Sequence, residues 1–480
     1  MADTDAAIAG LRQTIARQNE LIAQLQARVA ELELRLAAAM KDSSTSSKPP
    51  SSDIVNPPKP SPRTKRVKRR RGGQAGHRRH LRGLLPPERV DEQLTFEIDD
   101  AEVRRLGLAP TDDYEVVQHV ELLEHPLHVT EYRLRKYRDA TGETVLPDVP
   151  EIANRPIFGP RLLATVGWLK SAAHCSYSTV EAYLEDVLAL PVSRGYLAKL
   201  CNEVVAESLA EPYEELKRAT PRQSHLGSDE TSLKHNGRRH WVWCVAAPLF
   251  SLFHVAASRS RSVLEELVGE GYRGYLNCDY YSANCSFAWD FDIRVQYCWA
   301  HLVRDIRFLT KHPDAKTRGW AERLLDASRR LFRAWHRREE LTQAGRRRSL
   351  ASCRNGFLEI VRTPPPTREA QNVAARFQVV DVEGGGVYDL SRDYFRFLEV
   401  DGPEPTNNHG EQQIRHCVID RKITQGTRSE AGQRYHERMW TAIATCRKQD
   451  RSFFEYLKSA ITAQLQRQPA PSLLPIPAGA

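Results

Sequence analysis

Residues 225–279 run through three strand-like segments, one helical segment and a fourth strand without a break. SHLGSDET, RRHWVWCVAAP and LFSLFHVAASRS carry the aromatic and β-branched residues of strands, RSVLEELVGEG has the spacing of a helix, and YRGYLNCDYY returns to strand. If the first and fourth strands are neighbours, side chains near their ends meet. Asp229 falls at the end of the first strand and Asp279 at the end of the fourth, 50 residues later. That is the length a hairpin, a third strand and a helix occupy. A lone Asp at a strand end is usually a turn or helix cap, so the pair needs further support before it can be read as chemistry.

This unit is only part of a chain of 480 residues, which on a prior of about 100–200 residues per domain makes two to four domains. Hydrophobic residues at 41% and charged residues at 27% describe a globular protein with a core of its own. No long uninterrupted apolar run occurs, and the opening MADTDAAIAG lacks the basic start and apolar centre of a signal peptide, so a cytoplasmic protein is expected. Nine scattered cysteines without a C-x-x-C pair predict neither a disulfide framework nor a four-cysteine zinc site.

The N-terminal third carries two further signals. Ile8, Leu11, Ile15, Ile22, Leu25, Val29, Leu32 and Leu36 alternate at steps of three and four, with Gln18 breaking the stripe once, and predict a coiled-coil helix over residues 1–40. A single amphipathic helix packed on its own domain is the alternative. Residues 41–62 are rich in Ser and Pro and cannot bury a core, which sets that helix apart from the body. The net charge is +9, yet residues 59–82 alone hold eleven Lys or Arg and no Asp or Glu. The basicity is therefore local. Arg66, Lys68, Arg69, Arg70, Arg71, Arg78 and Arg79, broken by Gly72, Gly73 and Gly76, predict a mobile arm that follows a polyanion, nucleic acid before any other; a solvated basic linker is the plainer reading.

Alternation from Asp91 to Pro150 predicts a small β-rich module, and the spacing after Gly159 predicts successive helices. The last of these, capped by Ser193, presents Arg194, Tyr196 and Lys199 at its start, as the second helix of a helix-turn-helix would; any helical bundle can imitate that spacing. Past Cys298 a helical, charge-rich stretch leads to EPTNNHGEQQIRHCVIDRK, where Glu411 and Arg415 share a helix face at i and i+4. Three strands, a helix and a fourth strand open a ribonuclease H-like fold, and phosphodiester chemistry explains why three carboxylates should converge on one. Two magnesium ions about 3.5–4 Å apart activate an oxygen nucleophile and stabilise the leaving oxygen, and they require hard oxygen ligands such as Asp229, Asp279 and Glu411. Arg415 and Lys422 on the same element could hold DNA phosphates.

SDETSLKHNGRRHWVW, CDYYSAN, CWAHLVRDIRFL and TNNHGEQQIRHCVIDRK, in this order and spacing, resemble the motifs of the insertion-sequence-sixty-six family of bacterial transposases. The resemblance extends from the N-terminal heptads through SSKPPSSD and GGQAGH to FFEYL. It implies that Asp229, Asp279 and Glu411 are the family's catalytic triad, holding two Mg2+ (Mn2+ could substitute), and that Cys298 and His301 are its C-x-x-H motif. It further implies DNA cleavage and strand transfer on the terminal repeats of an insertion sequence and on target DNA, with element-encoded helper proteins as further partners and the nucleoid as the place of work. The chain departs from the family in two places. Residues 88–150 hold no cysteine, so no zinc module is expected, and Ile423 follows Arg421 and Lys422 where Asn is usual. Without a second Cys/His pair, Cys298 and His301 read as packing or hydrogen-bonding residues rather than zinc ligands.

The expected architecture is a multidomain α+β protein: a dimerising coiled coil (1–40), which makes a homodimer or higher oligomer, linker and basic arm (41–90), β-rich module (91–155), helical region (156–220), ribonuclease H-like core (221–315), helical insertion (316–400), second part of the core (401–465) and a disordered tail (466–480). A nuclease of the same fold that stops at hydrolysis, and a dimeric DNA-binding regulator with a dead centre, are the rival expectations. Neutralising Arg69, Arg70 and Arg71 is expected to weaken binding to specific and unrelated DNA alike and to flatten its salt dependence, measured by titration at several salt concentrations. Loss confined to the terminal repeat would make the arm a base reader instead.

Overall fold

The computed structural model describes residues 2–39, 84–109, 116–124, 126–138, 141, 143–145, 147, 158–382 and 386–475. It divides into two compact units, residues 59–131 and the remainder of the chain. The seven basic arm residues from Arg66 to Arg79 lie outside the described residues.

In the smaller unit, helix α2 (Asp100–Leu106; α1 is Ala2–Ala39 of the larger unit) is capped by the Asp99 carboxylate accepting from Ala101 N, and it ends at Gly107 with φ +63°. No strand occurs among the described residues of this unit. The β-rich module expected over residues 91–155 is therefore corrected. Its only paired strands among the described residues are β1 (Tyr137–Arg138) and β2 (Thr144–Val145), two residues each and both in the larger unit. Alternation alone does not hold a strand without a partner and a covering layer. Val117, Leu123 and Val129 stay 86, 75 and 82% exposed.

The larger unit begins with α1 (Ala2–Ala39), one unbroken helix through the whole heptad stripe. Ile15, Ile22, Leu25, Val29, Leu32 and Leu36 are each 49–61% exposed, an apolar edge left open. After residue 158 come α3 (Pro160–Ser171), α4 (Tyr177–Leu188), α5 (Arg194–Leu200) and α6 (Ala210–Ala219), and the Ser193 hydroxyl caps α5 as expected by accepting from Tyr196 N.

The sheet follows. β3 (His225–His235), β4 (Arg238–Ala246) and β5 (Ser251–Ala256) form an antiparallel meander; α7 (Ser262–Leu267) crosses over to β6 (Tyr275–Cys278), and α8 (Ser282–Asp290) crosses over to β7 (Arg294–Tyr297). β6 lies parallel to β3 and β7 parallel to β6, giving the order β5-β4-β3-β6-β7. Helical crossovers return each later strand in the same direction, which is why the sheet turns from antiparallel to parallel at β3. The first and fourth strands are neighbours, as expected. Asp229, however, lies within an eleven-residue strand and not at its end.

β7 leads through α9 (Trp299–Leu309) into α10 (Ala315–His336), α11 (Gln343–Val361), α12 (Arg368–Ala375), a hairpin of β8 (Val379–Val382) and β9 (Gly386–Asp389), and α13 (Arg392–Phe395). The hairpin was not expected in a helical insertion. α14 (Asn408–Thr424), α15 (Glu430–Lys448) and α16 (Phe453–Leu465) complete the unit.

The sheet is the middle of three layers. One face buries Leu233, Val242, Cys244 and Phe253 against Ile414, Cys417 and Val418 of α14 and Trp440 of α15. The other joins the main core with Tyr213, Leu216, Leu264, Leu267 and Phe287. The β5 edge is covered in a regular way. Glu437, Thr441 and Thr445, one turn apart on α15, accept from Val255 N, Phe253 N and Ser251 N at 2.6, 3.0 and 3.2 Å, so the outward donors of an edge strand are used up by side chains. The tail expected to be disordered from residue 466 instead packs back up to residue 475. Leu473 is 1% exposed, and Tyr456 and Gln449 donate to the carbonyls of Pro471 and Leu473.

Trp299 holds the insertion to the sheet. It is fully buried, meets Phe332, Phe357 and Phe395 edge-on at centroid distances of 5.7, 5.1 and 5.3 Å, and donates from Nε1 to Tyr394 O. Trp299→Ala is expected to cost about 3–5 kcal/mol in denaturant unfolding, because it empties a site whose walls come from α10, α11 and α13 and cannot collapse together. A cost under about 1 kcal/mol would mean that the insertion folds independently of the sheet.

Candidate active site

Strand periodicity and register assemble the site. The parallel ladder between β3 and β6 ends with Gly227 opposite Asn277. Asp229 and Asp279 each lie two residues further on, so both side chains continue on the face that Gly227 and Asn277 present. That face meets the segment leading into α14: Asn277 Nδ2 donates to the carbonyls of Glu404 and Thr406 at 2.7 and 3.3 Å. Asn407, at the N-cap of α14, makes no side-chain cap bond and instead donates from Nδ2 to Ser228 O at 2.7 Å, while its backbone N–H reaches Cys298 Sγ at 3.1 Å. A Cβ on Gly227 would come within 2.8 Å of Asn407 Oδ1, and one on Gly410 within 2.9 Å, so both glycines are needed for this close approach. At the far end of α14, Arg421 donates to Thr231 Oγ1 and Ser232 O at 2.9 and 2.5 Å. The helix is fastened along β3 with Glu411 in its first turn.

Glu411 lies beside two residues of α9. Its Oε2 accepts from Arg304 at 3.5 Å, whereas its Oε1 is 3.7 Å from His301 Nδ1 and makes no hydrogen bond to it. Cys298 Sγ, a His301 ring nitrogen and a Glu411 oxygen lie within 4.8 Å of one another. Asp279 accepts from Asn284 Nδ2 at 2.6 Å, and Asn284 is wholly buried on α8.

Charge at the site is unbalanced. Burial pushes the Asp229 carboxyl well above its usual range, and Glu230, Asp279 and Glu411 push it further. Glu230 faces the opposite side of β3, where Arg259 donates to it at 2.6 Å; burial and Asp279 still raise it to about 7 against the pull of that arginine. Arg259 is itself held over the Tyr281 ring at 3.6 Å. Burial lowers the His301 imidazole despite Asp279 and Glu411, which favours its neutral form. His301 Nδ1 and Glu411 Oε1 are buried atoms without a hydrogen-bond partner. Clustered carboxylate oxygens, a neutral imidazole and unpartnered acceptors suit a divalent cation, whose hard-oxygen preference the carboxylates meet.

Among the residues singled out in the sequence, Asp229, Asp279, Glu411, Cys298 and His301 come together. Arg415 and Lys422 lie exposed further along α14. Arg194 and Lys199 sit on α5, paired with Glu181 at 3.3 Å and Glu203 at 3.9 Å, and are not brought to the carboxylates. Glu230, Arg259, Asn284, Arg304 and Asn407 were not singled out. Only Arg304 had a readable signal, its i+3 spacing from His301 on one helix face.

A model of the transposase IS66 family matches residues 155–435, and a model of a family of unknown function, DUF6444, matches residues 2–83. No curated protein matches the chain. The first match spans the sheet, the insertion and all five site residues from Asp229 to Glu411.

The contact between Gly227 and Asn407 generates a test. Gly227→Ala and Asn407→Ala are each expected to destabilise the chain by about 1–3 kcal/mol, the first by a clash and the second by a lost buried hydrogen bond. The double variant should lose at least about 0.5 kcal/mol less than the sum, because removing the amide makes room for the methyl. Strict additivity in urea unfolding would refute the close approach.

Proposed function

The chain belongs to the transposase IS66 family, which makes it an enzyme of DNA transposition, and on that premise we propose that Asp229, Asp279 and Glu411 form its catalytic triad. The observation that carries the proposal is the convergence of three carboxylates from β3, the end of β6 and the first turn of α14, with enough mutual repulsion to raise Asp229. The order β5-β4-β3-β6-β7, antiparallel on one side of β3 and parallel on the other, supports a ribonuclease H-like core.

Two Mg2+ ions, or Mn2+ in their place, would be held by these three carboxylates and would supply an activated oxygen nucleophile together with charge neutralisation at phosphorus and the leaving oxygen. The chain's own residues prepare that site. Asn284 orients Asp279 through a 2.6 Å hydrogen bond. Arg304 steadies Glu411, which lies in the first turn of α14 at the positive end of that helix. Neutral His301 closes the site without adding charge. Arg415 and Lys422, exposed on the helix that carries Glu411, are suited to contact DNA phosphates. A first round of chemistry would nick the end of the element, and the freed 3′-hydroxyl would attack target DNA at the same centre.

Further out, the open apolar edge of α1 suits a dimeric coiled coil, the basic arm suits phosphate contacts, and α4 and α5 with Arg194 and Lys199 suit base readout. Asp229→Ala, Asp279→Ala and Glu411→Ala are each expected to reduce cleavage and joining of element-end DNA to background while DNA affinity changes less than about threefold, since the basic arm is untouched. Near-normal cleavage by any one variant would sink the triad. Cleavage by the unaltered chain without joined product would make it a nuclease.

A further inference from the structure

α14 uses two faces. On a helix turning about 100° per residue, His416 and Asp420 lie about 140° and 180° round from Glu411 and so look away from the carboxylate site. There they meet His174, from the loop that joins α3 to α4. One ligand-capable atom from each of the three lies within 4.8 Å of the others. His174 Nδ1 is 2.5 Å from Asp420 Oδ1, and Trp440 Nε1 donates to the other oxygen of that carboxylate at 2.5 Å. The His174 and His416 rings are 4.2 Å apart between centroids. His416 Nε2 is buried and has no hydrogen-bond partner. His174 has φ +56°, a backbone conformation strained for a non-glycine residue, and the turn so made delivers its ring to α14.

We propose that His174, His416 and Asp420 bind a divalent transition metal of the zinc class, at a site separate from the carboxylate triad, and that this metal pins α14 to the helical region before the sheet. Two imidazoles and one carboxylate are a donor set that favours zinc over magnesium, and water takes the fourth position. Tetrahedral zinc with bonds of about 2.0–2.1 Å holds its ligand atoms about 3.3 Å apart, so the 2.5 Å contact between His174 and Asp420 opens as the metal takes the place of the proton between them and His174 carries its hydrogen on Nε2 instead, exchanged through solvent. Trp440, donating to the second carboxylate oxygen, fixes the orientation of the acid as outer partners of metal ligands do. Burial lowers His416 to about 4, so its ring is neutral near pH 7 and gives up no proton on binding. Burial opposes ionisation of Asp420, but the hydrogen bonds from His174 and Trp440 outweigh it and keep that carboxyl below its usual range.

The test uses the full chain carrying Asp229→Asn, Asp279→Asn and Glu411→Gln, which removes the proposed magnesium ligands and makes the result independent of that reading. After chelation and dialysis against Zn2+, this parent is expected to retain zinc, and Co2+ in its place is expected to show the visible absorption of a four-coordinate ion. Adding His416→Gln or Asp420→Asn should lower the zinc content by one equivalent per chain. Zn2+ should raise the midpoint of thermal unfolding of the parent and leave that of the His416→Gln chain unchanged. A parent that matches the unaltered chain in circular dichroism and binds no zinc overturns the proposal. So does a content that neither substitution lowers in chains whose circular dichroism matches the parent.

Discussion

Everything at the site depends on how closely α14 lies against β3. Glu411 follows Asp279 by more than a hundred residues, across the whole insertion, and closing a loop of that length has an entropic cost that local preferences of α14 do not meet. What fixes the helix is a short list of contacts at its two ends: Asn407 to Ser228 and Cys298 at the start, Arg421 to Thr231 and Ser232 near the finish, with Ile414, Cys417 and Val418 buried between. Gly227 is the element that permits it, since any side chain there would displace the Asn407 amide.

The same docking creates an electrostatic problem. It delivers a third carboxylate to two that the β3–β6 register has already brought together, in surroundings that burial makes less polar. The nearest compensation is partial: Arg304 for Glu411, Asn284 for Asp279, and Arg259 for Glu230 on the reverse of the strand. Asp229 has only the backbone N–H of its neighbour Glu230 among the hydrogen bonds described. A group of acids held in this state is preorganised for cations, because the cost of crowding is met by folding and not at the moment of binding.

α14 is also where the parts of the larger unit join. One of its faces carries Glu411 of the proposed triad, another the His416–Asp420 pair that meets His174, and its apolar side forms the layer over the sheet together with α15. The insertion is tied to this frame through Trp299, at the start of the helix that also presents His301 and Arg304 to Glu411. Packing in the insertion therefore bears on the orientation of site residues that lie outside it.

The sequence by itself determined a good deal. The order of strands and crossover helix from His225 to Asp279, the long heptad helix, the Ser193 cap and the family all followed from periodicity and motif, because these signals are local and each residue contributes to them independently. The same reasoning erred where a local pattern had no partner to complete it: alternation after Asp91 produced almost no paired strands among the described residues, and residues 466–475 fold back onto Tyr456 and Gln449. Only the tertiary structure decided which residues support the acids, because Asn407 on Ser228, Asn284 beneath Asp279 and Arg259 across Glu230 are meetings of a single pair that no spacing encodes. The cluster of His174, His416 and Asp420 is the extreme case. Two of its members sit one helical turn apart, but the third is more than two hundred residues away, and only the packing of the α3–α4 loop against α14 makes them neighbours.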